Sequence, residues 1–117
     1  MQRETAYLLD ILQSALLVQE FVQGLDERGF RADQLRQDAV IRRIEVIGEA
    51  TRRISPEFRA AHPGIPWPEM AGMRSRLIHE YDRVDLVEVW KVVQEDIPRL
   101  IAMITPLVPP DRPADAI

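Results

Sequence analysis

Asp38-Ala39-Val40-Ile41-Arg42-Arg43-Ile44-Glu45-Val46-Ile47-Gly48-Glu49-Ala50 carries the reading of the fold. Val40, Ile41, Ile44, Ile47 and Ala50 recur at steps of three and four, which lines one face of an α-helix and leaves the other to the charged residues. Asp33 or Asp38 is placed to cap this helix, because a short carboxylate accepts hydrogen bonds from the unpaired N–H groups of a first turn. The helix is expected to run through Ile54, and Gly48, with no side chain, would let another helix cross closely.

Working outward, Leu8, Ile11, Leu12, Ala15, Leu16, Val18, Phe21 and Val22 repeat the spacing and predict a long amphipathic helix from Thr5 to about Gly24. Leu25 to Phe30 reads as a connection. Ser55-Pro56-Glu57 sets a capping serine before a proline at the first helical position, predicting a short helix to about Ala61. His62-Pro63-Gly64-Ile65-Pro66 then breaks it. A fourth helix is predicted from Trp67-Pro68-Glu69 through Met70, Met73, Leu77 and Ile78 to His79 or Tyr81, with Asp82 to Asp85 as its exit. From Leu86, the residues Val89, Trp90, Val93, Ile97, Leu100, Ile101 and Ile104 form a fifth stripe, which Pro98 should kink by removing one backbone donor.

No segment alternates apolar and polar residues long enough to make a strand. The expected fold is an all-α helical bundle of four main helices plus one short helix. A single domain is expected over residues 1–108, and the prolines of the tail lead us to expect disorder over 109–117.

Composition excludes several classes of function. With no cysteine among 117 residues there is no disulfide framework, thiolate metal site or cysteine nucleophile, which suits the cytoplasm. No apolar run approaches the roughly 20 residues of a membrane span, and the N-terminus has no secretory pattern. A net charge of −4 argues against coating nucleic acid through a general basic field but leaves room for a local site. Fourteen of the fifteen basic residues are arginine, whose planar fork can grip phosphate at two points and stays protonated near neutrality.

Two histidines are present, and neither sits in a metal-ligand or nucleophilic-triad spacing. His62, flanked by proline, reads as a surface or capping residue. His79 lies in Arg74-Ser75-Arg76-Leu77-Ile78-His79-Glu80-Tyr81. On an α-helix Ser75 and His79 would share a stripe one turn apart, with Arg74 about 140° from His79. An imidazole that titrates near neutrality can move a proton, and a guanidinium beside it can stabilise charge building on a phosphate. Such a pair suffices for metal-free RNA cleavage by the neighbouring 2′-hydroxyl. The same residues also fit a histidine on a helix C-terminal dipole and an Arg74 ion pair with Glu69 or Glu80. Arg76 is either a phosphate contact or a solvated charge. Arg42, Arg43, Arg52 and Arg53 fit salt bridges with Glu45, Glu49 and acidic groups of a second copy, and Trp67 and Trp90 fit core packing.

The chain resembles the HEPN superfamily and, within it, the HepT-like toxins of bacterial and archaeal toxin–antitoxin pairs. The likeness rests on residues 38–50, on His62-Pro63-Gly64-Ile65-Pro66-Trp67, on Gly72-Met73-Arg74 through Tyr81, and on Val84-Asp85, Val89-Trp90 and Asp96-Ile97-Pro98. It implies the HEPN bundle, a homodimer whose Arg-x4-His motifs line a shared cleft, and endoribonuclease activity without metal or other cofactor. By position, Arg74 and His79 match the catalytic pair, with Ser75 and Arg76 in support. Tyr81 matches the tyrosine to which a nucleotidyltransferase antitoxin of the MNT type attaches AMP, as in a type VII-like system. A charged nucleotide there would bar RNA from the cleft.

Ser75 departs from the resemblance, since HepT-like motifs usually carry asparagine after the arginine. A hydroxyl replaces a carbonyl and an amide that could orient His79 or the phosphate. Two readings follow: an active toxin, or a weakened or inactive HEPN dimer that serves as binding partner or substrate of the nucleotidyltransferase. A third is a plain helical interaction module with neither activity.

Overall fold

The computed structural model describes residues 2–78 and 83–109, and it is all-α. Helix α1 (Gln2–Phe21) and helix α3 (Gln34–Arg53) are its two long rods. Two cross-helix hydrogen bonds and one just past the end of α3 fix their direction: Arg36 Nη1 to the Phe21 carbonyl at 2.6 Å, Arg43 Nη1 to Ser14 Oγ at 3.4 Å, and Ser55 N–H to Glu4 Oε1 at 3.3 Å. As one number rises the other falls, so the rods are antiparallel.

Between them Leu8, Ile11, Ala15 and Val18 of α1 meet Val40, Ile44, Ile47 and Ala50 of α3, all buried. Each large aliphatic side chain placed there contributes about 1.5–3 kcal/mol relative to exposure. Of the two candidate caps, Asp33 takes the role, its Oδ1 accepting from Arg36 N–H at 3.0 Å. Asp38 instead accepts from Gln34 Nε2 at 2.9 Å.

The segment read as a connection contains a helical turn, α2 (Glu27–Arg31), capped by Asp26 through the Gly29 N–H at 2.7 Å. Five residues are too few to show a period, yet the turn delivers Phe30 into the core, 5.4 Å from the Trp90 ring. Gly24, at φ +81°, makes the bend ahead of it, a conformation that costs glycine least.

Helix α4 (Pro56–Ala61) forms where predicted, with Ser55 Oγ accepting from Phe58 N–H at 3.1 Å. His62 ends it, its ring against Phe58 at 4.5 Å and its carbonyl accepting from Trp67 Nε1 at 3.0 Å. That bond lets Trp67 bury its ring without stranding a donor.

The fourth predicted helix is divided. Helix α5 (Trp67–Ala71) stops at Gly72, and Met73–Leu77 continues as a 3₁₀ turn. Gly48 explains where α5 sits, because a Cβ there would lie 3.1 Å from the Ala71 carbonyl oxygen. The same carbonyl accepts from Arg52 Nη2 at 2.8 Å, so α3 holds the end of α5.

The fifth stripe becomes α6 (Leu86–Lys91), a π-helical turn (Val92–Asp96) and α7 (Ile97–Ile104). The Ile97 N–H reaches back five residues to the Val92 carbonyl, one residue ahead of the proline that has no N–H. A register change accommodates Pro98 where a kink was expected. Thr105–Leu107 closes in a 3₁₀ turn, with Leu107 and Val108 packed on the core. The tail from Pro110 lies outside the described residues.

Candidate active site

Met73 and Leu77 are buried four residues apart and staple the 3₁₀ turn to the bundle, leaving Arg74, Ser75 and Arg76 exposed between them. The Ser75 N–H donates to the Gly72 carbonyl at 3.0 Å, the three-residue closure that defines this tighter winding. Ile78 is extended, at φ −115° and ψ 125°. The α-helical stripe that would carry Ser75 and His79 on one face is therefore absent, because the chain has left helical geometry before His79.

Ile78 pairs with Val84 in an antiparallel bridge, and the Asp85 N–H donates to the Leu77 carbonyl at 2.7 Å. The described chain thus leaves and returns at one point of the surface. His79 and Tyr81 fall between these ends and lie outside the described residues, as does Glu80.

Arg74 is half exposed and donates from Nε to Glu45 Oε2 of α3 at 2.6 Å. Of the partners weighed from sequence, Glu69 is not the one it meets. Glu45 also lies 3.6 Å from Arg42 Nη1, while Glu49 pairs with Arg52 at 3.7 Å and Arg53 at 3.9 Å, as the spacing along α3 predicts. Arg43 turns inward to Ser14. These surface pairs add little to stability, typically under 1 kcal/mol each.

Arg76 is engaged at both ends of its fork: Nη2 donates to Glu88 Oε1 and Nη1 to Asp96 Oδ2, each at 2.9 Å. The Glu88 carboxylate, and then Asp96, hold the guanidinium's proton affinity above its already high ordinary value. Arg76 and Asp96 also line a cavity of about 250 Å³ beside Met70, Met73 and Leu100. Among the described residues no three His, Asp or Glu side chains gather as a metal-ligand set.

Residues 11–107 match the family described as Ribonuclease HepT-like, most of the chain. The chain belongs to the HepT-like ribonuclease family. Within that family it is 48% identical over 94 residues to a Thermococcus cleftensis protein named "Probable ribonuclease HepT", covering 80% of this chain and 86% of the relative. A Methanocaldococcus jannaschii protein named as a candidate RNase is 45% identical over 95 residues, covering 81% and 87%. Another so named, from Caldanaerobacter subterraneus subsp. tengcongensis, is 39% identical over 100 residues, covering 86% and 89%. No solved structure matches the chain significantly. Among the described residues no helix is long and apolar enough to cross a membrane.

For this HepT-like chain, sequence reading singled out Arg74 and Arg76 as candidates but missed what holds them. Glu45 stands 29 residues from Arg74, and Glu88 and Asp96 stand 12 and 20 from Arg76. No local spacing rule links residues so far apart, and only the packed fold brings them together.

Proposed function

We propose that this chain is the toxin of a type VII-like toxin–antitoxin pair and cleaves RNA without metal, as a homodimer with Arg74 and His79 at the reacting phosphate. The observation that carries the reading is Arg74-x4-His79-x-Tyr81 in a chain of the HepT-like ribonuclease family, with its arginine on the surface. In the reaction the substrate's 2′-oxygen bonds to the adjacent phosphorus and the bond to the 5′-oxygen breaks. A cyclic phosphate and a 5′-hydroxyl result. His79 moves the proton from the attacking to the leaving oxygen, and Arg74 stabilises the charge on the pentavalent phosphorus. Glu45 on Nε leaves the terminal nitrogens of Arg74 as the edge to meet phosphate.

Neutralisation is assigned to a nucleotidyltransferase antitoxin. The Tyr81 oxygen attacks the α-phosphorus of ATP, pyrophosphate leaves, and the attached AMP repels RNA phosphates.

Ser75 supports one second reading, a weakened dimer that still serves as the transferase's substrate. Ser75 is exposed beside Arg74 and offers a short hydroxyl where an asparagine would carry an amide. The deciding experiment is cleavage of total cellular RNA in the presence of a chelator by the wild type, His79→Ala and Ser75→Asn, each checked for folding. Cleavage that falls by about 10²-fold or more in His79→Ala alone is the expected result. Silence of the wild type with activity gained in Ser75→Asn selects the weakened toxin. Silence of all three overturns the nuclease reading and leaves the transferase substrate, tested by an AMP-sized mass gain lost in Tyr81→Phe.

A further inference from the structure

Arg76 stands two residues beyond the proposed catalytic arginine and invites a role as a second phosphate contact, but its geometry points elsewhere. Both terminal nitrogens already hold carboxylates of different turns: Glu88 in the first turn of α6 and Asp96 at the end of the π turn. Planar, two-armed and permanently charged, a guanidinium joins two such acids where an ammonium would serve as a single point charge. Two of its five N–H donors are committed and its charge is flanked by two carboxylates, so a phosphate approaching the remaining N–H groups would also meet the negative charge of Glu88 and Asp96.

The π turn bears on this arrangement. An extra residue per turn between Val92 and Asp96 changes the register of the helix just before Asp96, the carboxylate that Arg76 engages. The clamp also sits beside the closure of the motif segment. Leu77 follows Arg76 directly, its carbonyl is bonded to the Asp85 N–H, and Asp85 caps the helix that carries Glu88, whose N–H it accepts at 3.2 Å.

We infer that Arg76 is a positioning residue: it clamps the turn carrying Arg74 to the 86–104 helix and fixes the point from which the His79 segment departs, without itself binding RNA. Its catalytic consequence rests on the nuclease reading, whereas the clamp does not.

The test compares Arg76→Gln, Asp96→Asn and Glu88→Gln with the wild type by three measurements. Hydrogen exchange of the Asp85 amide should quicken by about tenfold in Arg76→Gln and Asp96→Asn, because the closure it reports loses its brace. Affinity for an all-deoxy oligonucleotide, which has no 2′-hydroxyl to react, should hold within twofold in Arg76→Gln, with an unchanged salt slope. On cleavable RNA, kcat should fall by about tenfold in Arg76→Gln and Asp96→Asn at constant KM, as expected of misplacement and not lost binding.

Unaltered exchange would overturn the clamp. So would a salt slope reduced by about one in Arg76→Gln, which is the mark of a lost phosphate contact. Tighter oligonucleotide binding by Asp96→Asn with undiminished kcat would do the same, since it would mean Arg76 had been released to bind RNA. Should Arg76→Gln fold poorly, the two carboxamide variants keep side-chain shape and decide the matter. A wild type silent on RNA would count against the nuclease reading, while exchange would still decide the clamp.

Discussion

Gly48 shows how one residue's chemistry reaches the motif. A methyl group there would approach the Ala71 carbonyl oxygen to 3.1 Å, and that oxygen is backbone already held by Arg52. Neither side can give way cheaply, so Gly48→Ala is expected to lose about 1–3 kcal/mol of stability to overpacking. Urea titration measures that loss. The end of α5 would shift with it, three residues before Arg74, and RNA cleavage should fall even at temperatures where the variant is folded. Gly48 was legible as a crossing point because it interrupts an apolar stripe on a long helix. The pairing of Arg74 with Glu45 was not, because a carboxylate 29 residues away is indistinguishable in sequence from any other on α3.

At the scale of elements, two caps were legible, since capping is local chemistry: Asp33 and Ser55 each accept from an N–H three residues on, while Asp85, read only as a helix exit, does the same for α6. Periodicity failed between Met73 and Leu77, where a four-residue apolar step reads as an α-helical turn but the two buried residues bracket a tighter 3₁₀ turn. It failed again at Val92–Asp96, because a π turn inserts a register change without altering composition. One tie between elements has a measurable pH signature. Glu4 in the first turn of α1 is buried, and hydrogen bonding from Ser55, side chain first and backbone N–H after, holds its carboxyl below the ordinary value of 4.5. A depressed carboxylate contributes stability above its unfolded pKa and loses it as pH falls through the folded one. The stability gap between the wild type and Glu4→Gln should therefore be present near neutrality and close on acidification below about pH 4. A gap independent of pH, by urea midpoint, would show that Glu4 acts through packing alone.

The whole chain was legible as an all-α fold because its apolar residues keep helical steps almost throughout, and long helices survive small errors at their ends. What a single chain's pattern leaves open is assembly. The proposed cleft needs two motifs, and an isolated protomer would supply one Arg74 and one His79. Beside the point where the motif segment returns, Val84 and Val87 are 42% and 52% exposed. Pairing of two copies there would bury them and join the motifs. The expected mass by light scattering is about twice the 13.5 kDa chain. Val87→Glu, which puts a charge on that surface, should shift the protein toward the monomer and make specific activity fall steeply on dilution. A wild type that stays at 13.5 kDa across concentrations while cleaving RNA at constant specific activity would sink the shared cleft. Arg74 and His79 of one chain would then have to suffice.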